Sequence, residues 1–329
     1  MEQANGPEAK AEGKVDVTVR VTNFAGRHLC YNKLPSRFRA LDMWMRRARG
    51  SRRFAVENRS PRPQVSVMRC KSRRPLVLQK TTSEQNMFAP TDISQLDENG
   101  FAVVPSILDQ ETIQRVSQLV DVARAANNSE NVANSSGTYG LRNLTDVVPE
   151  VAELVRHPAV VELVRNAMVG EPFMVRSTLF DKTPGANWGV FWHQDLSIAV
   201  EQRHELAGFS AWTRKAGVQC VQPPVETMRQ ILAVRLHLDD CFASNGALKV
   251  LPRTHKLSKL TTAAVEAQQQ HTSEVVCEVA AGGAVLMRPL LLHASSPMDV
   301  EASRRVIHFE FASFELPPPL QWRYRIPTK

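Results

Sequence analysis

The chain has no Cys-X-X-Cys pair, no apolar run long enough to cross a bilayer and no apolar core at its N-terminus. Each absence excludes something. Its five cysteines, Cys30, Cys70, Cys220, Cys241 and Cys277, are odd in number and scattered. That pattern argues against a disulfide framework or a thiolate zinc site and suits a reducing, cytoplasmic setting. A membrane helix needs ~18–20 apolar residues, and even Ala284-Val285-Leu286-Met287 is broken by Arg288. The opening Met1-Glu2-Gln3-Ala4-Asn5-Gly6 lacks the hydrophobic segment of a secretion signal. No internal repeat or coiled-coil heptad is visible.

What is present in excess is positive charge, and it is unevenly placed. The formal charge is +8 over 329 residues. Residues 1–80 hold 19 Lys/Arg against 6 Asp/Glu, a net +13, while residues 81–329 hold 22 against 27, a net −5. The basic character therefore belongs to a leader and not to the body. Residues 1–86 are expected to form a basic, disordered or loosely attached extension, and residues 87–329 the functional domain. Met87 offers an alternative start, in which case residues 1–86 are not native. A nucleic-acid or targeting arm is the third reading. The early Glu2, Glu8 and Glu12 count against targeting, and basic runs are commonly just solvated.

The body begins with helical signals and continues with strands. Asp97-Glu98-Asn99-Gly100 reads as a turn and Phe101 to Pro105 as a short strand. Asp109 suits an N-cap for a helix running to about Ala125, with Ile113, Val116, Leu119, Val120 and Ala123 on one stripe. A polar loop follows over residues 127–137. Short helices are predicted over residues 148–155 and 158–168, the second with Pro158 in its first turn. From Pro172 onward β patterns dominate, at residues 231–238, 247–251, 274–279, 284–287 and 304–311. This order predicts a mainly β core with flanking helices, of the double-sheet jelly-roll or cupin-like kind.

Chemistry concentrates in His193-Gln194-Asp195 and His293. Two histidines and a carboxylate are the donor set that holds a non-haem Fe(II) with open positions. On a strand, residues i and i+2 leave the same face, so His193 and Asp195 are expected to reach one ion. The third ligand must come from elsewhere, and His293 lies in Leu290-Leu291-Leu292-His293-Ala294-Ser295. A His-X-Asp triplet alone is a weak signal, and a lone histidine in an apolar run is more often a hydrogen-bonded core residue.

Context strengthens both. The segment Leu179 to Asp195 contains Phe180-Asp181-Lys182-Thr183-Pro184-Gly185 and ends in Trp192-His193-Gln194-Asp195. Downstream come Asn245-Gly246-Ala247-Leu248-Lys249-Val250-Leu251-Pro252-Arg253-Thr254-His255, then His293-Ala294-Ser295, then Ser303-Arg304-Arg305-Val306-Ile307-His308-Phe309. In this order the segments resemble the phytanoyl-CoA dioxygenase family of Fe(II)/2-oxoglutarate oxygenases, over roughly residues 90 to 315.

The resemblance implies a double-stranded β-helix with His193, Asp195 and His293 as iron ligands. It implies 2-oxoglutarate as cosubstrate, O2 as oxidant and hydroxylation of a small organic substrate with release of succinate and CO2. It selects Arg304, with Arg305 as runner-up, to grip the distal carboxylate of 2-oxoglutarate through two parallel donors. Ser295 shares the face of His293 and suits the same carboxylate. Arg142, Lys182, Gln194 and Arg235 are pocket or substrate candidates, and for the cations the bland reading is an ordinary surface charge. Asn245-Gly246 reads as a turn. The family usually has glycine where this chain has Arg253, which puts only that loop's shape in question. His204, His237, His255, His271 and His308 receive no ligand role. Two other readings stand beside this one. The first is a cupin-like protein with another metal or no 2-oxoglutarate turnover. The second is nucleic-acid binding through the basic leader. The substrate and the oligomeric state are not legible.

Overall fold

The computed structural model describes residues 93–126, 131–134 and 137–329, together with two short strands, Arg20–Thr22 and His28–Cys30. The chain divides into two units, residues 1–81 and 82–329. In the first, the two short strands pair antiparallel. The other expectations for residues 1–86 fall outside the described residues.

In the second unit the largest sheet runs, in spatial order, through Phe101–Val104, Ala284–Met287, Leu232–His237, Arg304–Ala312, Phe173–Lys182, Gly137–Arg142 and Asn131–Asn134, with Ile326–Pro327 also pairing to Phe173–Lys182. A four-stranded sheet runs through Val275–Cys277, Leu248–Val250, His293–Ser295 and Val190–His193. A third, smaller sheet joins Ile198–Val200, Val218–Gln222 and Ser210–Lys215. All pairings are antiparallel. In the middle of the two larger sheets neighbouring strands are distant in sequence, as a double-stranded β-helix requires, and consecutive strands pair only toward the edges, as Asn131–Asn134 does with Gly137–Arg142.

Alternation decides what each face of the large sheet does. One face carries Leu179, Leu232, Val234, Leu236, Leu286, Ile307 and Phe309, and helices cover it. The helix Gln110–Ala125 contributes Ile113, Val116, Val120 and Ala123 at spacings of three and four, the stripe read from the sequence. Asp109 Oδ1 accepts the Thr112 N–H at 2.8 Å, closing its first turn with about 1 kcal/mol of stabilisation. The helix Pro158–Ala167 adds Val160, Leu163 and Val164. Each such side chain contributes about 1.5–3 kcal/mol on burial. On the opposite face, Ala233, Val285 and Met287 pack against Leu248, Val250 and Leu291 of the four-stranded sheet and its loops. Sheet therefore packs on sheet at one end, Phe173, Val175 and Ala312 pack against Ile198, Val200 and Val221 of the smallest sheet at the other, and polar side chains occupy the stretch between.

Local differences from the sequence reading have local causes. Residues 97–99 belong to a helix, Ser94–Asn99, and only Gly100 turns, at φ 87°. The polar stretch expected as loop contains the strand Asn131–Asn134, since pairing with Gly137–Arg142 overrides poor strand propensity. The helix predicted over 148–155 is split into a 3-10 turn, Pro149–Val151, and a single α-turn, Ala152–Val155. Thr262–His271 is a helix with no buried residue, so periodicity had nothing to report. Arg253, where a glycine was expected, indeed occupies the left-handed region at φ 70°.

Candidate metal centre and cosubstrate pocket

His193 and His293 are direct cross-strand partners on Val190–His193 and His293–Ser295, with ring centroids 4.1 Å apart. Asp195 lies beyond the end of its strand, where its N–H donates to Pro289 O at 2.9 Å. This corrects the expectation that strand alternation carries both residues. Alternation places His193 alone, and the turn held by Pro289 brings Asp195 back to the same side. Asp195 Oδ1 is 3.9 Å from His193 Nε2 and Oδ2 is 3.6 Å from His293 Nε2. All three donor atoms fit within 4.8 Å of one another. Bonds of ~2.0–2.2 Å to a shared cation would set donor separations on the order of 3 Å, so only a small closure is needed.

The tautomers suit a cation. His193 Nδ1 lies 2.8 Å from Phe191 O, and His293 Nδ1 lies 2.8 Å from Leu291 O. A carbonyl only accepts, so each Nδ1 must carry the proton and each Nε2 presents its lone pair to Asp195. Burial opposes ionisation of Asp195, but the positive charge around it, from the histidines when protonated and from Arg176, holds the carboxyl below the usual carboxylate range. Burial lowers His293 to about 4, against the pull of Asp195. Carboxylate and neutral imidazole are the protonation states that metal binding requires.

These groups open into a cavity of about 560 Å3. One pole is cationic. Arg304, 2% exposed, donates from Nη1 to Gly246 O and faces Cys241 Sγ at 3.8 Å. Lys182 is fully buried, donates to Ser295 Oγ at 2.6 Å and to Ser296 O, and sits 5.3 Å over the Trp188 ring. Arg235 donates from Nη1 to His308 Nδ1 at 3.3 Å and lies 5.3 Å over the Phe180 ring. Ser295 Oγ donates to Gly246 O at 2.8 Å. Among the described residues, no carboxylate pairs with any of the three cations. Burial, then Arg304, lowers Lys182 to about 7, and burial, then Arg304, lowers Arg235 to about 10. Such an uncompensated cluster is costly unless an anion joins it.

Gly246 is more than the turn read from the sequence. Its carbonyl receives both Arg304 and Ser295, its φ is 75°, and an added Cβ would come 2.5 Å from Ser296 O.

The remaining candidates separate. Arg142 lines the cavity. Gln194 also borders it, yet its amide bonds the backbone at Ser258 O (3.2 Å), Leu290 O (2.9 Å) and Leu260 N (2.8 Å). It anchors the turn between two donors rather than offering itself to a ligand. Arg305 points to the helical face, where Asp239 takes it through two contacts of 2.6 and 2.9 Å and Asp121 through one of 2.9 Å. Sequence reasoning passed over Arg176, Thr178, His308 and Glu310, which all line the cavity. The signal was available: Arg176, Thr178 and Phe180 alternate in phase with Lys182, and His308 and Glu310 with Arg304.

A double-stranded β-helix with two histidines and a carboxylate converging at its mouth is the architecture of the non-haem Fe(II) oxygenases. The comparisons narrow this class. Residues 96–306 match the model of the family described as Phytanoyl-CoA dioxygenase (PhyH), and the chain belongs to that family. No curated protein sequence matches. Among solved structures, AviO1 from Streptomyces viridochromogenes Tue57 is 22% identical, with 69% of this chain and 95% of that one covered and a TM-score of 0.52. EctD from S. alaskensis, solved with 2-oxoglutarate and 5-hydroxyectoine, is 14% identical over 71% and 79% of the two chains, at a TM-score of 0.54. The epimerase SnoN, in complex with Fe3+, alpha ketoglutarate and nogalamycin RO, is 14% identical over 67% and 81%, at a TM-score of 0.53. These likenesses establish the shared fold.

Proposed function

We propose that the chain is an Fe(II)- and 2-oxoglutarate-dependent dioxygenase that hydroxylates a small organic substrate and releases succinate and CO2. The observation that carries this is the convergence of His193, Asp195 and His293 beside three buried cations that lack a carboxylate. Iron held by the three donors supplies the redox chemistry that couples O2 to oxidative decarboxylation. The chain's own part is binding and orientation. His193 and His293 offer Nε2, kept in that tautomer by Phe191 O and Leu291 O. Arg304 grips the distal carboxylate of 2-oxoglutarate, with Ser295 and Lys182 beside it. Arg235 adds positive field, and the buried walls limit water. Arg142, which lines the cavity, is assigned to the substrate.

Among the described residues no helix is long and apolar enough to cross a membrane. The free, buried thiols of Cys220, Cys241 and Cys277 suit the reducing, cytoplasmic location expected from the sequence.

Anaerobic addition of Fe(II) and then 2-oxoglutarate tests the reading. A weak visible charge-transfer band, followed by succinate on admitting O2, is expected. Iron binding without that band would favour a cupin-like protein that does not use 2-oxoglutarate.

A further inference from the structure

The cavity has a second pole that the cosubstrate does not need. Glu310 pairs across strands with Arg176 and accepts from its Nη1 at 3.1 Å through Oε1. Arg176 Nη2 lies 3.7 Å from Cys220 Sγ. His308 Nε2 is 3.6 Å from the same Glu310 oxygen. The other oxygen, Oε2, is buried with no partner, and Glu310 is only 4% exposed. Buried carboxylate oxygens are almost always satisfied, so this one points to a donor that arrives with a ligand.

Two observations say which ligand. Glu310 stands six residues along its strand from Arg304, roughly 20 Å at 3.3 Å per residue, so a molecule held at Arg304 does not reach it. Arg176, His308 and Glu310 instead line the same cavity as His193, Asp195 and His293, where a substrate must lie. The donor's charge follows from the lining. Apart from Asp195 and Glu310 the charged side chains around the cavity are cations: Arg142, Arg176, Lys182, Lys215, Arg235 and Arg304. An ammonium would enter against that field. A hydroxyl donates without adding positive charge, and Ser197, Thr178, Thr213 and Gln222 add further hydroxyl and amide groups to the cavity lining.

We propose that Glu310, braced by Arg176, is a substrate-binding residue that accepts a hydrogen bond from a hydroxyl group, and that the substrate is a hydroxylated, neutral or acidic molecule of the sugar, polyol or hydroxy-acid class. The proposal rests on the oxygenase reading for its placement of the substrate, but its geometry stands apart from the metal donors.

The test uses saturation-transfer NMR with the full chain, with and without Fe(II) and 2-oxoglutarate under anaerobic conditions. Erythritol serves as the hydroxyl donor, its tetramethyl ether as the acceptor-only control and putrescine as the cationic control. Erythritol should give signal, and the other two should not. Glu310→Ala should weaken erythritol binding about tenfold or more, as loss of a hydrogen bond to a charged group implies. Glu310→Gln, which keeps an acceptor oxygen and the side chain's shape, should retain part of it. Circular dichroism melts verify that both variants fold. Absence of erythritol signal, equal signal from the ether, preference for putrescine, or an unaffected Glu310→Ala variant overturns the proposal. The 2-oxoglutarate charge-transfer band, read in the same samples, reports separately on the oxygenase reading, because erythritol signal does not depend on iron.

Discussion

Arg304 and Arg305 are neighbours on one strand, yet they live in opposite electrostatic worlds. Arg305 lies on the helical face and is matched by Asp239 and Asp121, and those contacts raise its pKa above the usual value. Arg304 lies on the cavity face beside Lys182 and Arg235 and meets no carboxylate among the described residues. A cation matched inside the fold serves the fold. A buried cation left unmatched serves something that binds. The same contrast holds along Phe173–Lys182, where Asp181 turns to Arg124 at 2.6 Å and Lys182 turns to the cavity.

The harshest way to break this comparison is to remove the donors around which the cavity face is built. His193→Ala, Asp195→Ala or His293→Ala should each abolish iron retention and succinate release while the fold persists. Metal analysis and turnover decide it, and near-normal values in all three would remove the assignment.

The adjacent arginines supply the direct contrast. Arg304→Ala should raise the 2-oxoglutarate KM by on the order of 30- to 3,000-fold, since truncating one side of a buried charged contact costs about 2–5 kcal/mol. Arg304→Lys should recover part of this, keeping the charge but losing the planar fork. Arg305→Ala should leave that KM nearly unchanged and instead lower stability by about 1.5–3 kcal/mol, because hydrogen bonds to charged groups are lost. Denaturant melts and cosubstrate titrations on the same three proteins read both effects, and a reversal would mean that the strand faces are exchanged.

Lys182 sharpens the picture through pH. Its pKa in the fold, about 7, lies below the ordinary lysine value of 10.5, chiefly through burial. The unfolded chain therefore binds the extra proton between pH 7 and 10.5, and stability in the ligand-free protein should rise over that window. Below pH 7 the buried ammonium opposes folding in full. Binding of the 2-oxoglutarate dianion favours the protonated form, so affinity should fall as pH rises above 7. Lys182→Met should flatten both trends, as calorimetric titrations and melts at pH 6.5 and 9 would reveal. Parallel slopes in wild type and variant would contradict this.

The smallest effect is expected at the other end of the chain. The family match begins at residue 96, and the basic leader, +13 over residues 1–80, lacks a hydrophobic period with which to pack. Removing residues 1–86 should leave melting temperature and turnover nearly unchanged. A large drop in either would show that the leader is part of the working domain.

Much of this protein is readable from its residues in order. The 3-4 spacing of Ile113, Val116, Val120 and Ala123, the cap at Asp109 and the alternation from Leu232 to His237 are local patterns, and local sterics and burial enforce them wherever they occur. The motif residues His193, Asp195, His293 and Arg304 stand out for the same reason, since their chemistry and spacing are properties of the chain itself. Tertiary structure decided what depends on partners far away in sequence. It set His193 opposite His293, used Pro289 to return Asp195 to their side, and turned the Gly246 carbonyl toward Arg304. It also placed Arg176, His308 and Glu310 on the cavity wall. A charge in a sequence looks the same whether its counter-ion is present or missing. Only the folded chain, by bringing Asp239 to Arg305 and none to Arg304, determines which cation is matched and which is left to bind.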